Sequence, residues 1–333
     1  MLGQNHFCYD LTRFSRAQIS RAASFIRMEV QQQELLGLSS GDLCHFLESL
    51  GEKPFHGKQI YHAIYRLREF DVASMTNLSR PLRARLQRCS RLTLPKPVLV
   101  QHSLDRTRKY LFELDDGEKI ESVFIPEEHR DTLCISTQAG CPMDCKFCLT
   151  ALIGLARNLS AGEIAGQVLR MLKDRENPSS AMALQGKRPR LSRETFKPVN
   201  IVLMGMGEPL LNLENVSRAL LLMADPDGLA IPSHRITLST VGLIPKIHEL
   251  ARSPIVPNLA ISLSATTNEV RDRLMPVNRK YPIEELIQAC EQFPLRPRQR
   301  ITFEYVLIES INDSDEDARE SAGAKTRLVL TEL

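Results

Sequence analysis

Three cysteines within eight residues, Cys141, Cys145 and Cys148 in AGCPMDCKFCLTA (139–151), are the residues of this sequence most plainly able to gather a metal centre. Their C-x3-C-x2-C spacing lets three thiolates converge on one soft centre, but a tetrahedral zinc site takes four ligands. Two arrangements answer the shortfall. Cys134, seven residues upstream, can supply a fourth thiolate and make structural zinc. Alternatively, the three thiolates hold three irons of a [4Fe–4S] cluster and leave the fourth iron open to a substrate or cofactor. The loop follows the first strand of a βα series, and ligands bind at the carboxyl ends of parallel strands, which favours the second.

A second motif, MGMGEPLLN (204–212), follows another strand at the same predicted sheet edge. Gly205 and Gly207 permit close backbone approach, and Glu208 can accept from an amine. It is not a dinucleotide fingerprint, because a third glycine is absent and Pro209 follows. Cys8, Cys44, Cys89 and Cys290 are scattered and read as small buried or incidental residues.

The elements that must position these residues are legible as patterns. Residues 1–33 show little periodicity and form an N-terminal extension. SSGDLCHFLESLG reads as a capped helix, HGKQIYHAIYRL as a second, and Leu82–Arg91 as a third, giving a small all-α domain over 34–95. Residues 96–126 alternate around an Asp115-Asp116-Gly117 turn and predict a connecting β-hairpin. From 127 to 333, strands at TLCIS, NIVLMG, HRITLST, NLAISLSA and RITFEYVLI alternate with helical patterns. Repeated βα units imply an α/β fold with a parallel sheet, open or curved into a partial barrel. The polar interval 174–198 reads as an inserted surface loop.

Bulk composition narrows the class. Hydrophobic content of 43% and charged content of 25% are those of a globular protein, and no apolar run approaches a membrane span. Without a secretion signal the expectation is a cytoplasmic protein with no membrane partner, where clustered cysteines serve metal binding or catalysis. A net charge of +3 is too weak to argue for nucleic acid alone. Basic runs at 80–91, 186–193 and 295–300 together make RNA a plausible partner.

The cysteine loop, with Phe147 before its last cysteine, resembles that of the radical S-adenosylmethionine (SAM) superfamily, and the GEP segment resembles the one that holds the methionine amine there. The run GEKIESVFIPEEHRDTLCISTQAGCPMDCKFCLTA, then RNLSAGEI, MGMGEPLLN, HRITLSTVGLIP, LAISLSA and ITFEYV, is similar to the RlmN/Cfr family of RNA adenosine C2/C8 methyltransferases. The likeness runs from about Leu35 to Arg319 and is densest with the branch that methylates adenosine C2 in 23S rRNA and tRNA. It implies a radical SAM partial (β/α) barrel with an N-terminal domain that helps present RNA. It also implies that Cys141, Cys145 and Cys148 bind a [4Fe–4S] cluster and that Gly207, Glu208, Ser239, Ser262, Leu263 and Ser264 contact SAM. Glu121 matches a proton acceptor, and Cys134 a catalytic thiol that resolves a protein–RNA crosslink. An electron donor such as flavodoxin and a monomeric state complete this expectation. The alternative is a zinc-stabilised RNA-binding protein without catalysis.

Two departures qualify the resemblance. Ser264 stands where the family usually has His or Asn after LAISL. After Arg319 the family continues through another strand, an asparagine that contacts SAM, and a methyl-carrying cysteine, whereas this sequence runs ESAGAKTRLVLTEL. The expectation is a C-terminally truncated member, its methyl transfer open, with an unpaired sheet edge that favours self-association.

Overall fold

The computed structural model describes residues 32–176, 197–297, 299–323 and 327–332. From the amino end the chain forms β1 (Gln33–Glu34), α1 (Ser40–Ser49), α2 (Phe55–Tyr61) and α3 (Arg80–Cys89), then β2 (Ser90–Arg91), which pairs parallel with β1. Local chemistry sets the helix starts. Ser39 and Asp42 form a capping box on α1, while Ser79 and Pro81 open α3, because side-chain oxygens satisfy first-turn amides that have no helical partner. Leu43, Leu47, Ile60, Leu82 and Leu86 form a shared core that also takes in Ala165, Leu169 and Leu222 from later helices. The helical unit is therefore docked on its neighbours, and Tyr61 Oη donates to Asp225 Oδ2 at 2.7 Å across the seam.

The segment expected to be a hairpin has one more strand. β3 (Lys96–His102), β4 (Arg108–Glu113) and β5 (Lys119–Pro126) form an antiparallel meander, with the Asp115-Asp116-Gly117 turn joining the last two. β3 is mostly exposed and its register shifts between Pro97 and Leu99, so it carries no clear alternation. β5 pairs antiparallel with β6 (Asp131–Cys134), which splices the meander into the main sheet.

After β6 the chain makes an excursion through β7 (Gln138–Gly140), α4 (Leu149–Ile153) and β8 (Leu155–Asn158), with β7 and β8 paired as a small antiparallel ribbon. Then follow α5 (Ala161–Glu176), β9 (Val199–Leu203), α6 (Leu213–Ala224), β10 (Ile236–Thr240), α7 (Ile244–Ala251), β11 (Asn258–Ser262), α8 (Asn268–Leu274), α9 (Ile283–Glu291), β12 (Ile301–Leu307), α10 (Asp315–Gly323) and β13 (Arg327–Glu332). The RNLSAGEI segment starts α5: Ser160 Oγ accepts from Glu163 N, and Glu163 Oε2 accepts from Ser160 N. Of the loop expected at 174–198, the first three residues complete α5, and 177–196 lie outside the described residues, as do 1–31 of the extension.

The nine-stranded sheet has the order β13-β12-β11-β10-β9-β6-β5-β4-β3, parallel from β6 to β13. Parallel neighbours follow chain order, so right-handed crossovers put their helices on one face. That is barrel winding, without the order reversal of a doubly wound sheet. The order does not close on itself, so the barrel is partial. One face buries Leu133, Leu203, Leu238, Ile261 and Phe303 in the core. Alternation turns Cys134, Ser239, Ser262 and Glu304 to the other face.

The edge of β12 is covered by β13, paired from Thr302 to Leu307, so among the described residues the unpaired edge at this end of the sheet is that of β13. RLVLTE supplies the apolar and β-branched residues that suit a strand there. Among the described residues no helix is long and apolar enough to cross a membrane.

Candidate active site

The β7–β8 ribbon holds the cysteine loop by its base. Cys141 N donates to Gly154 O at 2.9 Å, and Lys146 N donates to Leu274 O at 2.9 Å, so the loop is tied both to its own ribbon and to α8. Cys141, Cys145 and Cys148 border a cavity of about 210 Å³ at the carboxyl ends of β9, β10 and β11, together with Phe147, Met204, Met275 and Glu304. Burial pushes the Cys145 thiol up to about 12, with the charges of Cys148 and Cys141 adding to the effect. Cys141 is raised chiefly by burial as well. Thiols so crowded and buried become thiolates readily only when a metal supplies positive charge. Leu149, Leu152 and Ile153 of α4 are strongly exposed beside the loop.

Gly207 and Glu208 line the same cavity. Gly207 has φ +103°, and a Cβ on it would lie 2.6 Å from Gln138 Cβ; one on Gly205 would lie 2.7 Å from Ser136 Oγ. The close approach that these glycines permit is thus of the 135–138 segment leading into the cysteine loop. Glu208 is 2% exposed. Its Oε1 accepts from Leu210 N at 3.0 Å and its Oε2 from Val241 N at 2.9 Å, while its own N–H donates to Gln138 Oε1 at 2.8 Å. Burial raises its carboxyl to about 7, against the opposing pull of these hydrogen bonds. A buried carboxylate with no cationic partner among the described residues, held on the wall of a cavity, is matched to an ammonium group.

Ser239 and Ser262 complete the expected residues on the cavity wall. Ser239 Oγ donates to Glu304 Oε2 at 2.9 Å, and burial raises the Glu304 carboxyl. Leu263 and Ser264 are not on the wall. Leu263 N donates to Glu304 O at 2.9 Å. Ser264 has φ +54°, is 1% exposed, and its Oγ has no hydrogen-bond partner among the described residues. Its carbonyl accepts from Asn312 Nδ2 at 2.8 Å.

Cys134 pairs in register with Val123 on β5 and Val202 on β9, one layer below the cavity. Burial lifts its thiol to about 11, and the nearby charge of Glu304 adds to this. Glu121, two residues before Val123 and so on the same sheet face, is half-exposed and bonded to Lys109 Nζ at 2.8 Å. Its carbonyl accepts from Ser136 Oγ at 2.6 Å, which fixes its backbone at the sheet rim.

The donor set fits an iron–sulfur cluster better than zinc. The loop offers three thiols to one cavity, one short of the four ligands that a closed zinc site takes. Cys134 sits in a strand below the cavity and does not close a fourth corner of the loop. Three soft thiols, a buried carboxylate and two serines around one cavity suit a multi-iron cluster with a polar cofactor beside it. Two residues of this region were not anticipated: Glu304, a lone charge in the apolar strand ITFEYVL, and Arg271, fully buried on α8.

Comparison with known proteins agrees with this geometry. The family described as Ribosomal RNA large subunit methyltransferase N-terminal domain matches residues 33–92, and the Radical SAM superfamily matches residues 135–322. The dual-specificity RNA methyltransferase RlmN of Geobacter sulfurreducens is 46% identical over 287 residues, covering 86% of this chain and 73% of that protein. The protein of the same name from Syntrophotalea carbinolica is 47% identical over 288 residues, covering 86% and 71%. The crystal structure of a radical SAM methyltransferase from Sphaerobacter thermophilus superposes with a TM-score of 0.78 at 38% identity, covering 90% of this chain and 84% of that one. The chain belongs to the radical SAM superfamily and, within it, to the RlmN family of RNA methyltransferases.

Proposed function

We propose that the protein methylates C2 of adenosine in 23S rRNA and tRNA, using a [4Fe–4S] cluster and SAM. The observation that carries this reading is the meeting of three loop thiols and the Glu208 carboxylate at one cavity on the carboxyl ends of parallel strands. Cys141, Cys145 and Cys148 are the proposed cluster ligands. When bound, the cluster supplies the electron that cleaves SAM reductively, a radical route suited to an aromatic carbon too electron-poor to attack a methylsulfonium.

In this reading the chain's own residues bind, orient and manage protons. Glu208 accepts from the α-ammonium of SAM while its two backbone donors hold it in place. Gly207, Ser239 and Ser262 line its binding cavity, and Leu263 and Ser264 shape the turn behind them. Cys134 is the thiol that resolves the protein–RNA crosslink, and its burial keeps it protonated near neutrality until RNA arrives. Glu121, at the rim and within reach of solvent, takes a proton from the substrate side once it releases Lys109. The helical unit at 34–95 helps present RNA. A flavodoxin-like electron donor, a monomeric state and a cytoplasmic setting belong to the same reading.

The test is transfer of labelled methyl from SAM to unmodified 23S rRNA fragments and tRNA by anaerobically reconstituted protein, with the nucleosides identified by mass spectrometry. Labelled 2-methyladenosine is the expected product. Release of 5′-deoxyadenosine without label in RNA would refute methyl transfer by this chain while leaving its radical chemistry standing.

A further inference from the structure

Arg271, on α8, is 0% exposed, yet among the described residues no carboxylate pairs with it directly. Its Nε donates to Leu263 O at 3.1 Å, and Nη2 to Val241 O at 2.7 Å and Ser262 O at 3.2 Å. Nη1 donates to Asn278 Oδ1 at 3.0 Å, and Asn278 Nδ2 in turn donates to Asp272 Oδ1 at 2.7 Å. The nearest acid is thus reached only through an amide. A cation held in the interior by neutral acceptors is costly unless a counter-charge comes close. Burial lowers the Arg271 guanidinium to about 10, and the nearby charges of Cys145 and Asp272 pull the other way.

The same side chain ties together three parts of the cavity. Val241 O meets Arg271, while Val241 N holds Glu208 Oε2 at 2.9 Å, so the backbone of one residue links the cation to the carboxylate. Ser262 and Leu263 are the end of β11 and its exit, whose carbonyls the guanidinium fork spans. α8 also anchors the cysteine loop through Lys146 N and Leu274 O. Lysine could supply the charge but not the planar fork that reaches all these acceptors.

We propose that Arg271 is a positioning residue and the resident counter-charge of the site. Its fork locks the ends of β10 and β11 against the cysteine loop, and its charge favours the reduced, more negative state of the iron–sulfur cluster. This rests on the cofactor assignment above. Reduction adds one electron from the external reductant to the cluster, and a fixed positive charge beside it makes that addition easier.

Redox titration of the reconstituted protein, followed by electron paramagnetic resonance, tests the charge, and calorimetric titration with S-adenosylhomocysteine tests the fork. Arg271→Met should leave the cluster at least tenfold less reduced at a fixed potential, a shift of about 59 mV to more negative values for a one-electron couple. Arg271→Lys should keep the wild-type midpoint but bind S-adenosylhomocysteine at least threefold more weakly. A wild-type midpoint in Arg271→Met overturns the proposal. Should that variant fail to assemble, Asp272→Asn decides, because removing the half-buried acid should move the midpoint to more positive values, and an unchanged midpoint overturns the proposal. A wild-type protein that holds no cluster refutes the cofactor assignment instead, so the two failures are distinguishable.

Discussion

Glutamine at position 208 would keep the shape of Glu208 and still disable it twice over. Both carboxylate oxygens accept from backbone amides, Oε1 from Leu210 N and Oε2 from Val241 N. An amide side chain has one oxygen, so one of those buried N–H groups would face an NH2 and lose its partner, a cost of about 1–3 kcal/mol to the fold. The ligand would also lose its anion, and truncating one member of a buried charge pair costs about 2–5 kcal/mol. Glu208→Gln should therefore weaken S-adenosylhomocysteine binding to the reconstituted protein by at least about 30-fold, the equivalent of about 2 kcal/mol. Titration adds a second signature. Burial raises the carboxyl from 4.5 to about 7, so the free site keeps its proton until near neutrality and must release it to pair with an ammonium. Binding should tighten from pH 5.5 to 7.5, with proton release seen by calorimetry in buffers of different ionisation enthalpy. In the free protein the raised value means that Glu208's contribution to stability is complete below pH 4.5 and lost as pH rises through about 7. A Kd within threefold of wild type, or affinity indifferent to pH across that window, would refute the reasoning.

Three further outcomes are expected. Alanine at Cys141, Cys145 or Cys148 should abolish iron binding, whereas Cys134→Ser should keep full iron content and lose only RNA product; iron and sulfide analysis separates the two, and metal loss in Cys134→Ser would revive the four-thiolate alternative. Gln167 is fully buried, with Oε1 accepting from Ser122 Oγ and Ser136 N and Nε2 donating to Ser136 O; Gln167→Leu should lower stability by about 3 kcal/mol in denaturant titration, because three polar groups lose partners in the core. Gly207→Ala must place a Cβ 2.6 Å from Gln138 Cβ at φ +103°, so a loss of about 1–3 kcal/mol and of S-adenosylhomocysteine binding is expected; wild-type melting and affinity would count against the close approach.

The cavity was legible where its chemistry is local in the chain. Cys141, Cys145 and Cys148 carry their spacing within one loop, and Gly207 with Glu208 form one short motif, so sequence alone brings five wall residues to notice. Ser239 and Ser262 came to notice only through the resemblance of HRITLSTVGLIP and LAISLSA to the family, because a serine near a strand end does not by itself mark a binding wall. Arg271 was hidden because NEVRDRL has only two apolar residues in seven, Val270 and Leu274, and an arginine among such polar neighbours reads as solvated. Glu304 left a trace, a charge at an alternate position of an apolar strand, but a single such residue does not say which face is a cavity. The β7–β8 ribbon and β3 are set by pairing rather than by their own patterns, and three residues or a mostly exposed edge carry little period-2 signal.

The central claim is that three loop thiols hold a cluster whose remaining iron takes SAM. Electron paramagnetic resonance of the anaerobically reduced protein, recorded before and after addition of SAM, tests it most directly. The account requires a reduced [4Fe–4S] signal that changes on addition of SAM, is absent in Cys141→Ala, and is no longer altered in Glu208→Gln at the same ligand concentration. A cluster signal indifferent to saturating SAM, or a colourless protein holding one zinc per chain, would contradict it.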